Sequence, residues 1–448
     1  MCGIVGFANN INDSNRVLDE CLLKIKHRGP DSDGKYIDDG VALGFRRLSI
    51  IDLKSGHQPI FNEDNSKILL FNGEIYNYRL LREDLLKCGH KFRTKADSEV
   101  LLHGYEEFGT DLLTKLRGMF AFVIWDKNKK ELFGARDFFG IKPFYYYHTD
   151  RDFIFGSEIK SFLPHPNFNK MLNEKALENY LTFQYSVTND TFFQRVYKLP
   201  PAHYFIYKDN KLEINRYWNI SFSEFNSKSF DEWVDSIEKT FKNSVSAHKI
   251  SDVEVGCFLS SGIDSSYVAA AADVDKTFTV GFGKDKKYNE ISYAEEFSQF
   301  IKKENISKNI TPEEYWAVLP KIQYHMDEPL ADPSAVALYF VSKLASERVK
   351  VVLSGEGADE IFAGYNVYSE PNSGLYDKLP YKFRNKVSKI ASKFPGGRGV
   401  NFLVRKGLPV EERFIGNAYI FSESERKKIL KIDTSAKSPA EITEPFFD

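Results

Sequence analysis

The second residue of the chain, Cys2, stands where a thiol can act as a nucleophile. The sequence opens MCGIVGF, and removal of Met1, which a small second residue favours, leaves Cys2 with a thiol and a free α-amino group. Such an amine titrates near about 7.7–8.0 and a thiol near about 8.5, so the amine can accept the thiol proton. The alternative is an incidental cysteine at the start of an edge strand, and the dipeptide alone favours that alternative.

Three short segments downstream carry groups suited to binding a free amino acid. FRRLSI contains Arg47, LFNGEIYN contains Asn72, Gly73 and Glu74, and TKADSEV contains Asp97. Arginine binds an α-carboxylate bidentately, an acidic group holds an α-ammonium, and an Asn amide beside a glycine N–H can stabilise an oxyanion. Singly, these residues also fit a hairpin turn, a surface arginine and a helix cap. Together with a thiol they suit hydrolysis of the glutamine side-chain amide.

Two motifs in the second half each follow an apolar, strand-like segment. The first, FLSSGIDSS, comprises Leu259, Ser260, Ser261, Gly262, Ile263, Asp264, Ser265 and Ser266 after its leading Phe. Small residues before a helix can surround a phosphate with N–H groups, and no Walker A lysine follows. Asp264 would repel phosphate unless Mg²⁺ lay between them. The alternative is a Ser/Gly turn with a helix cap.

The second motif is VVLSGEGADEIFAGY, which crowds Glu356, Asp359 and Glu360 after a strand. A solvated acidic turn is the alternative. Ligands of doubly wound sheets bind at the carboxyl ends of the strands, so the two motifs can share one ligand.

The elements that position these groups change character along the chain. In the first two hundred residues, GMFAFVIW and KELFGAR flank a turn, as do KPFYYYH and DFIFGS, which predicts antiparallel hairpins. Leucine-striped helices lie between such strands, one with Asn77 as a candidate cap and Gly89 as its end. This pattern predicts an α+β sandwich.

The second part alternates strands with helices. VEVGCFL, KTFTVGF and KVVLS predict strands, and TPEEYWAVLPKIQYHM predicts a helix that starts with a capping box from Thr311 to Glu314. Alternation of this kind predicts a mostly parallel, doubly wound sheet. The join is expected between KLPPAHY and NISFSEFNSKS.

Composition bounds the class of protein. The 448 residues predict two domains, and 42% hydrophobic with 28% charged residues is typical of a soluble protein. A net charge of -2 gives no bulk attraction to nucleic acid or an anionic membrane. Four scattered cysteines without paired spacing argue against both a disulfide scaffold and a zinc site, and predict a reducing, cytoplasmic location. No signal peptide or membrane-spanning stretch is expected.

The motifs carry a family resemblance in order along the chain. MCGIVGF, HRGPDSDG, RRLSI, NGEIYNY, RGMFAF and GARDFFGIKPFYY resemble the N-terminal-nucleophile (αββα) glutaminase domain of glutamine-hydrolysing asparagine synthetases. LSSGIDSS, TFTVGF, YNEISYA, DEPLADPSA and SGEGADE resemble the α/β ATP-pyrophosphatase (PP-loop) domain of the same family. The resemblance implies a glutaminase domain at 1–208 and a synthetase domain at 209–448.

The resemblance also implies roles for single residues. It makes Cys2 the nucleophile, with Asn72 and Gly73 at the oxyanion and Glu356 at the acyl-adenylate site. The implied glutamine-binding residues are Arg47, Asn72, Gly73, Glu74 and Asp97. The implied ATP-binding residues are Leu259, Ser260, Ser261, Gly262, Ile263, Asp264, Ser265, Ser266, Val280, Gly281, Ser354, Gly355 and Glu356. The implied Mg²⁺ ligands are Asp264 and Asp359.

The implied reaction joins the two halves. ATP adenylates aspartate with release of pyrophosphate, and ammonia from glutamine arrives by an internal channel and gives asparagine and AMP. The expected partners are therefore small molecules, with no nucleic acid and no membrane, and a homodimer is the candidate assembly. Family members continue beyond EITEPFFD, so the synthetase half is expected to be C-terminally incomplete. Two alternatives stay open: another carboxylate as acceptor, and glutaminase activity alone.

Overall fold

The computed structural model describes residues 1–9, 11–221, 228–283, 289–368, 374–395, 397–415, 419–431 and 434–447. The predicted join between the halves includes residues 222–227, and the YNEISYA motif begins at residue 288; both positions lie outside these ranges. The described chain divides into two compact units. The first comprises residues 1–172, 189–327 and 333–355, and the second comprises residues 173–188, 328–332 and 356–448.

The first half of the chain contains most of the strands. The strands are β1 Gly3–Phe7, β2 Ser32–Asp38, β3 Val41–Arg47, β4 Ile60–Phe61, β5 Lys67–Ile75, β6 Gly118–Asp126, β7 Glu131–Arg136, β8 Tyr145–His148, β9 Phe153–Gly156, β10 Val196–Lys198, β11 His203–Lys208 and β12 Lys211–Arg216. The helices are α1 Ser14–Lys24, α2 Tyr78–Lys87, α3 Glu99–Phe108, α4 Leu112–Lys115 and α5 Glu174–Phe183.

The second half is richer in helices. Its helices are α6 Phe230–His248, α7 Ile263–Ala272, α8 Ile291–Phe300, α9 Pro312–Met326, α10 Ser334–Ser346, α11 Ala358–Phe362, α12 Tyr381–Ala391, α13 Arg398–Lys406, α14 Val410–Arg413, α15 Glu423–Ile429 and α16 Pro439–Thr443. Its strands are β13 Val255–Phe258, β14 Lys276–Phe282, β15 Glu304–Ile310 and β16 Val351–Leu353.

Two antiparallel sheets pack face to face in the first unit. One has the order β10-β8-β9-β1-β3-β2 and the other β12-β11-β7-β6-β5-β4. Side chains from both inner faces form one core, to which β1 contributes Ile4 and β5 contributes Leu70. Helix α1 covers the outer face of one sheet, and α2 and α3 cover the other. The predicted αββα sandwich is therefore confirmed.

A third sheet in the first unit is parallel throughout, in the order β15-β14-β13-β16. Helices α6, α7 and α8 bury Val245, Val268 and Ala294 on one face. Helix α10 buries Val341 and Ala345 against the other face. The doubly wound sheet is confirmed, and the carboxyl ends of β13, β14 and β16 lie at one edge.

The second unit is built from helices. Helix α15 places Arg426 in its interior, where the side chain is fully buried and its Nη2 lies 3.6 Å from Glu178 Oε1 of α5. Among the helices that the structure describes, none is long and apolar enough to cross a membrane.

Candidate active sites

Cys2 directly precedes β1, and β1 lies between β3 and β9 in its sheet. Its Sγ accepts from the Leu48 N–H at 3.4 Å and approaches the Leu48 carbonyl at 3.6 Å. The side chain packs against the core between the two antiparallel sheets. Burial raises the pKa of this thiol, and the positive charges of Lys142 and Arg47 oppose that shift. The thiol is therefore mainly protonated and needs a base.

A neutral amine lies beside this thiol. Burial, together with Arg28 and Lys142, lowers the pKa of the Met1 amino group to about 5. An amine with that pKa carries a free lone pair at neutral pH. The residues around the N-terminus therefore favour the neutral, basic form of an amine.

Strand β5 presents Asn72 and Glu74 on its inner face, because Leu70 of the same alternating set packs into the inner core. Asn72 is 1% exposed, and its Nδ2 has no hydrogen-bond partner among the described residues. A buried amide donor without a partner costs about 1–3 kcal/mol. A ligand oxygen at this position would remove that cost.

Gly73 directs its N–H to an unpaired edge of β5. The Phe71 N–H donates to Gln58 Oε1 at 2.7 Å, and the Ile75 N–H donates to Asp97 Oδ2 at 2.8 Å. Alternation along a strand places the Gly73 N–H on the same edge. A Cβ at Gly73 would lie 2.2 Å from the Met119 carbonyl oxygen, so this position requires glycine.

Two carboxyl groups meet beside this strand. Burial raises the pKa of Glu74 to about 7; Lys142 opposes this shift and Asp97 adds to it. Burial also raises the pKa of Asp97 to about 6, against the hydrogen bond from the Ile75 N–H. An incoming ammonium group would supply the positive charge that both carboxylates need.

Arg47, at the end of β3, is oriented by backbone carbonyls. Its Nη2 donates to the Asp52 carbonyl at 2.6 Å and to the Ile51 carbonyl at 3.2 Å. The residue is buried and acts electrostatically on Cys2. The structure thus brings Cys2, Arg47, Asn72, Gly73, Glu74 and Asp97 into one region of the first unit.

Two cations of this region were not singled out from the sequence. Arg28 donates from Nε to the Cys2 carbonyl at 2.9 Å and from Nη1 to Glu158 at 3.0 Å. Lys142 is buried and acts on both Cys2 and Glu74. The HRGPDSDG and GIKPFYY segments contain them, but their spacing alone does not indicate a shared site.

The serine-rich loop joins β13 to α7. The Ser260 N–H donates to Ser265 Oγ at 3.1 Å, the two hydroxyls lie 2.8 Å apart, and the Gly262 N–H donates to Ser260 Oγ at 3.1 Å. Ser266 Oγ donates to the Gly262 carbonyl at 2.9 Å. Asp264 lies in the first turn of α7. The loop is therefore a compact cluster of hydroxyl and N–H groups at a helix start.

Other predicted nucleotide-binding residues lie at the same edge of the parallel sheet. Val280 and Gly281 lie near the carboxyl end of β14, and Ser354 and Gly355 directly follow β16. A Cβ at Gly355 would lie 2.8 Å from the Ser265 N, so the loop after β16 packs against the serine-rich loop. Glu356 and Asp359 belong to the second unit, where Asp359 lies in α11.

Two family comparisons match the two halves. The family of glutamine amidotransferase domains matches residues 1–218, and the asparagine synthase family matches residues 236–427. Glutamine-hydrolysing asparagine synthetase 1 of Bacillus subtilis (strain 168) is 42% identical over 459 aligned residues, which cover 100% of this chain and 72% of that protein. Asparagine synthetase 3 of the same organism is 33% identical, over 82% of this chain and 63% of that protein. The chain belongs to the glutamine-hydrolysing asparagine synthetase family.

Proposed function

We propose that the chain makes asparagine from aspartate, using glutamine as the nitrogen donor and ATP to activate the acceptor carboxylate. The observation that carries the glutaminase half is the buried, unpartnered amide of Asn72 on the same inner face as Cys2. A donor kept without a partner inside a protein is expected where a reacting oxygen binds. The glutaminase domain is proposed at 1–208, the synthetase domain at 209–448, and the location as cytoplasmic.

In the glutaminase step, the neutral amine takes the proton of the Cys2 thiol and Sγ attacks the glutamine amide carbon. Hydrolysis of the Met1–Cys2 peptide bond releases Met1 with its own amine and frees the α-amino group of Cys2, which then serves as this base. The Asn72 Nδ2 and the Gly73 N–H stabilise the oxyanion, and the protonated amine gives its proton to the leaving ammonia. Water then cleaves the thioester to glutamate. Arg47 binds the α-carboxylate, and Glu74 and Asp97 bind the α-ammonium.

In the synthetase step, the loop from Ser260 to Ser266 binds the phosphates of ATP. Asp264 in this loop and Asp359 in α11 have the hard oxygen donors that Mg²⁺ prefers. Asp264 fits that role because it lies at the start of α7, next to the hydroxyl and N–H groups of the serine-rich loop. A phosphate bound by those groups would be repelled by the Asp264 carboxylate unless a cation lay between them. When bound, Mg²⁺ neutralises phosphate charge. Glu356 is assigned to the acyl-adenylate.

A substitution of Cys2 separates the two halves. Cys2→Ala is expected to abolish glutamate formation from glutamine, while ammonium salts still support asparagine formation with aspartate and ATP. The matched control is Cys88→Ala, which removes an exposed free cysteine and should leave both rates unchanged. Products of ¹⁵N-amide glutamine are measured by mass spectrometry. Glutamate formation by Cys2→Ala would contradict the nucleophile, and glutamate without asparagine from the unsubstituted chain would contradict the synthetase half.

A further inference from the structure

Four metal-ligating side chains converge away from the glutamine site. Glu63 follows β4, His90 follows α2, and His103 and Glu106 lie three residues apart on α3. One ligand atom from each lies within 4.8 Å of the others. The His103 Nδ1 is 3.0 Å from Glu106 Oε2 and 3.6 Å from Glu63 Oε2, and the His90 Nδ1 is 3.8 Å from Glu106 Oε2.

In both Glu63 and Glu106, one carboxylate oxygen accepts a hydrogen bond and the other faces His103. Glu63 Oε1 accepts from the Lys91 N–H at 2.9 Å, and Glu106 Oε1 accepts from Asn62 Nδ2 at 2.7 Å. The two Oε2 atoms are those that face the His103 Nδ1. Each carboxylate is thus oriented to offer a single oxygen, as in a four-coordinate site with monodentate ligands.

A fifth residue orients the central histidine from behind. Glu99 is 1% exposed, and its Oε1 lies 3.6 Å from His103 Nε2, the ring nitrogen that faces away from Glu106. Glu99 is itself fixed by the N–H groups of Arg93 and Thr94 at 2.7 and 2.8 Å. A carboxylate behind the second ring nitrogen is typical of histidines that bind metals.

The cluster also carries more negative than positive charge, which favours the binding of a cation. Three carboxylates, those of Glu63, Glu99 and Glu106, surround His103, and among the described residues Lys67 is the one lysine paired with them, with its Nζ 3.6 Å from Glu106 Oε1. With neutral histidines, a divalent cation would balance the remaining negative charge. The buried His103 Nε2 lies 3.6 Å from Glu99 Oε1, which is too far for a hydrogen bond, so this contact has room to shorten.

We propose that Glu63, His90, His103 and Glu106 bind one Zn²⁺ in a tetrahedral site. Two imidazoles and two carboxylates are a donor set that zinc accepts, and bonds of about 2.0–2.1 Å place neighbouring ligand atoms about 3.3 Å apart. The segment between His90 and Glu99 carries Asp97, so the metal would fasten the chain that supplies this carboxylate to the glutamine site.

A proton is the competing occupant of this position. Burial disfavours the imidazolium, but the hydrogen bond to Glu106 and the nearby carboxylates of Glu99 and Glu63 raise the pKa of His103 to about 9. A protonated His103 would hold the same carboxylates together without metal. Metal retention distinguishes the two states directly.

The experiment measures Zn²⁺ retained by the full chain after dialysis against excess Mg²⁺, with Cys2→Ala as the background so that the active-site thiol contributes nothing. We expect one Zn²⁺ per chain, and Co²⁺ in its place should give the visible absorption of a tetrahedral site. Glu63→Gln and His90→Gln should each weaken retention at least about tenfold. Glu83→Gln, which alters an exposed carboxylate on α2 outside the cluster, is the matched control and should change nothing. No retained metal, or retention unchanged in Glu63→Gln and His90→Gln, would overturn the proposal.

Discussion

Asn72→Leu should lower glutaminase activity while the stability of the protein stays equal or rises. The substitution keeps the shape of the side chain and removes the Nδ2 donor, which is buried without a partner. Loss of one oxyanion donor lowers kcat by about 10²–10³. Removal of a buried unsatisfied donor returns up to about 1–3 kcal/mol, and 1 kcal/mol shifts Tm by about 2–4 °C for a unit of 150–250 residues. We therefore expect a nearly inactive glutaminase with an equal or higher Tm.

Asn62→Leu provides the matched comparison for stability. Asn62 is also buried, but its Nδ2 donates to Ser66 Oγ and Glu106, and its Oδ1 accepts from the Lys67 N–H. The same chemical change there breaks satisfied bonds and should lower Tm. Glutamate release and differential scanning calorimetry are measured on both variants. The reasoning about Asn72 is refuted if Asn72→Leu keeps its kcat, or if its Tm falls as far as that of Asn62→Leu.

Two further predictions follow from displaced carboxyl pKa values. Burial raises the pKa of Glu74 to about 7 and that of Asp97 to about 6, so both carboxyl groups ionise only above those values. The KM for glutamine should therefore rise as pH falls from about 8 to about 5, with a smaller change in kcat. A KM that stays constant over this range would contradict the ammonium-binding role. Glu158 has the opposite shift: burial opposes ionisation, but His27, Arg28 and Lys160 lower its pKa to about 2. From the ordinary value of 4.5 this shift corresponds to about 3 kcal/mol of stability, present above pH 4.5 and lost as pH falls towards 2. Glu158→Gln should therefore lower Tm at pH 7 and differ less from the unsubstituted chain at pH 3, and an equal difference at both pH values would count against this ion network.

The sequence predicts well the elements whose pattern is set locally. Apolar runs on either side of a polar turn mark β6 and β7, and the capping box from Thr311 to Glu314 is present at the start of α9. The sequence does not predict strand β15, because ENISKNI is polar and lies at the edge of the parallel sheet. An edge strand needs no continuous apolar run, so the hydrophobic pattern that reveals β13 is absent there.

Asn77 occupies the predicted N-cap position of α2, but its side chain does not cap the helix. Its side chain makes no cap bond; instead its Nδ2 donates to the Lys115 carbonyl and its Oδ1 accepts from the Arg117 N–H, both at 2.9 Å. The asparagine thus joins two distant segments. Contacts across forty residues leave no mark in local spacing, and the same limit hid the approach of Arg28 to Cys2.

Glu74 and Asp97 differ from the other carboxyl groups of the glutaminase half in the direction of their pKa shifts. Among the described residues of 1–208 outside the cluster around His103, Asp31, Asp38, Asp52, Asp64 and Glu158 have lowered pKa values. Hydrogen bonds or cations of the protein itself already satisfy these groups. Glu74 and Asp97 alone are shifted upward there, because their burial exceeds the compensation that the protein supplies. A buried carboxyl with an unmet need for positive charge is what an amino-acid ammonium group would satisfy, and Glu74 shares the inner face of β5 with the unpartnered amide of Asn72.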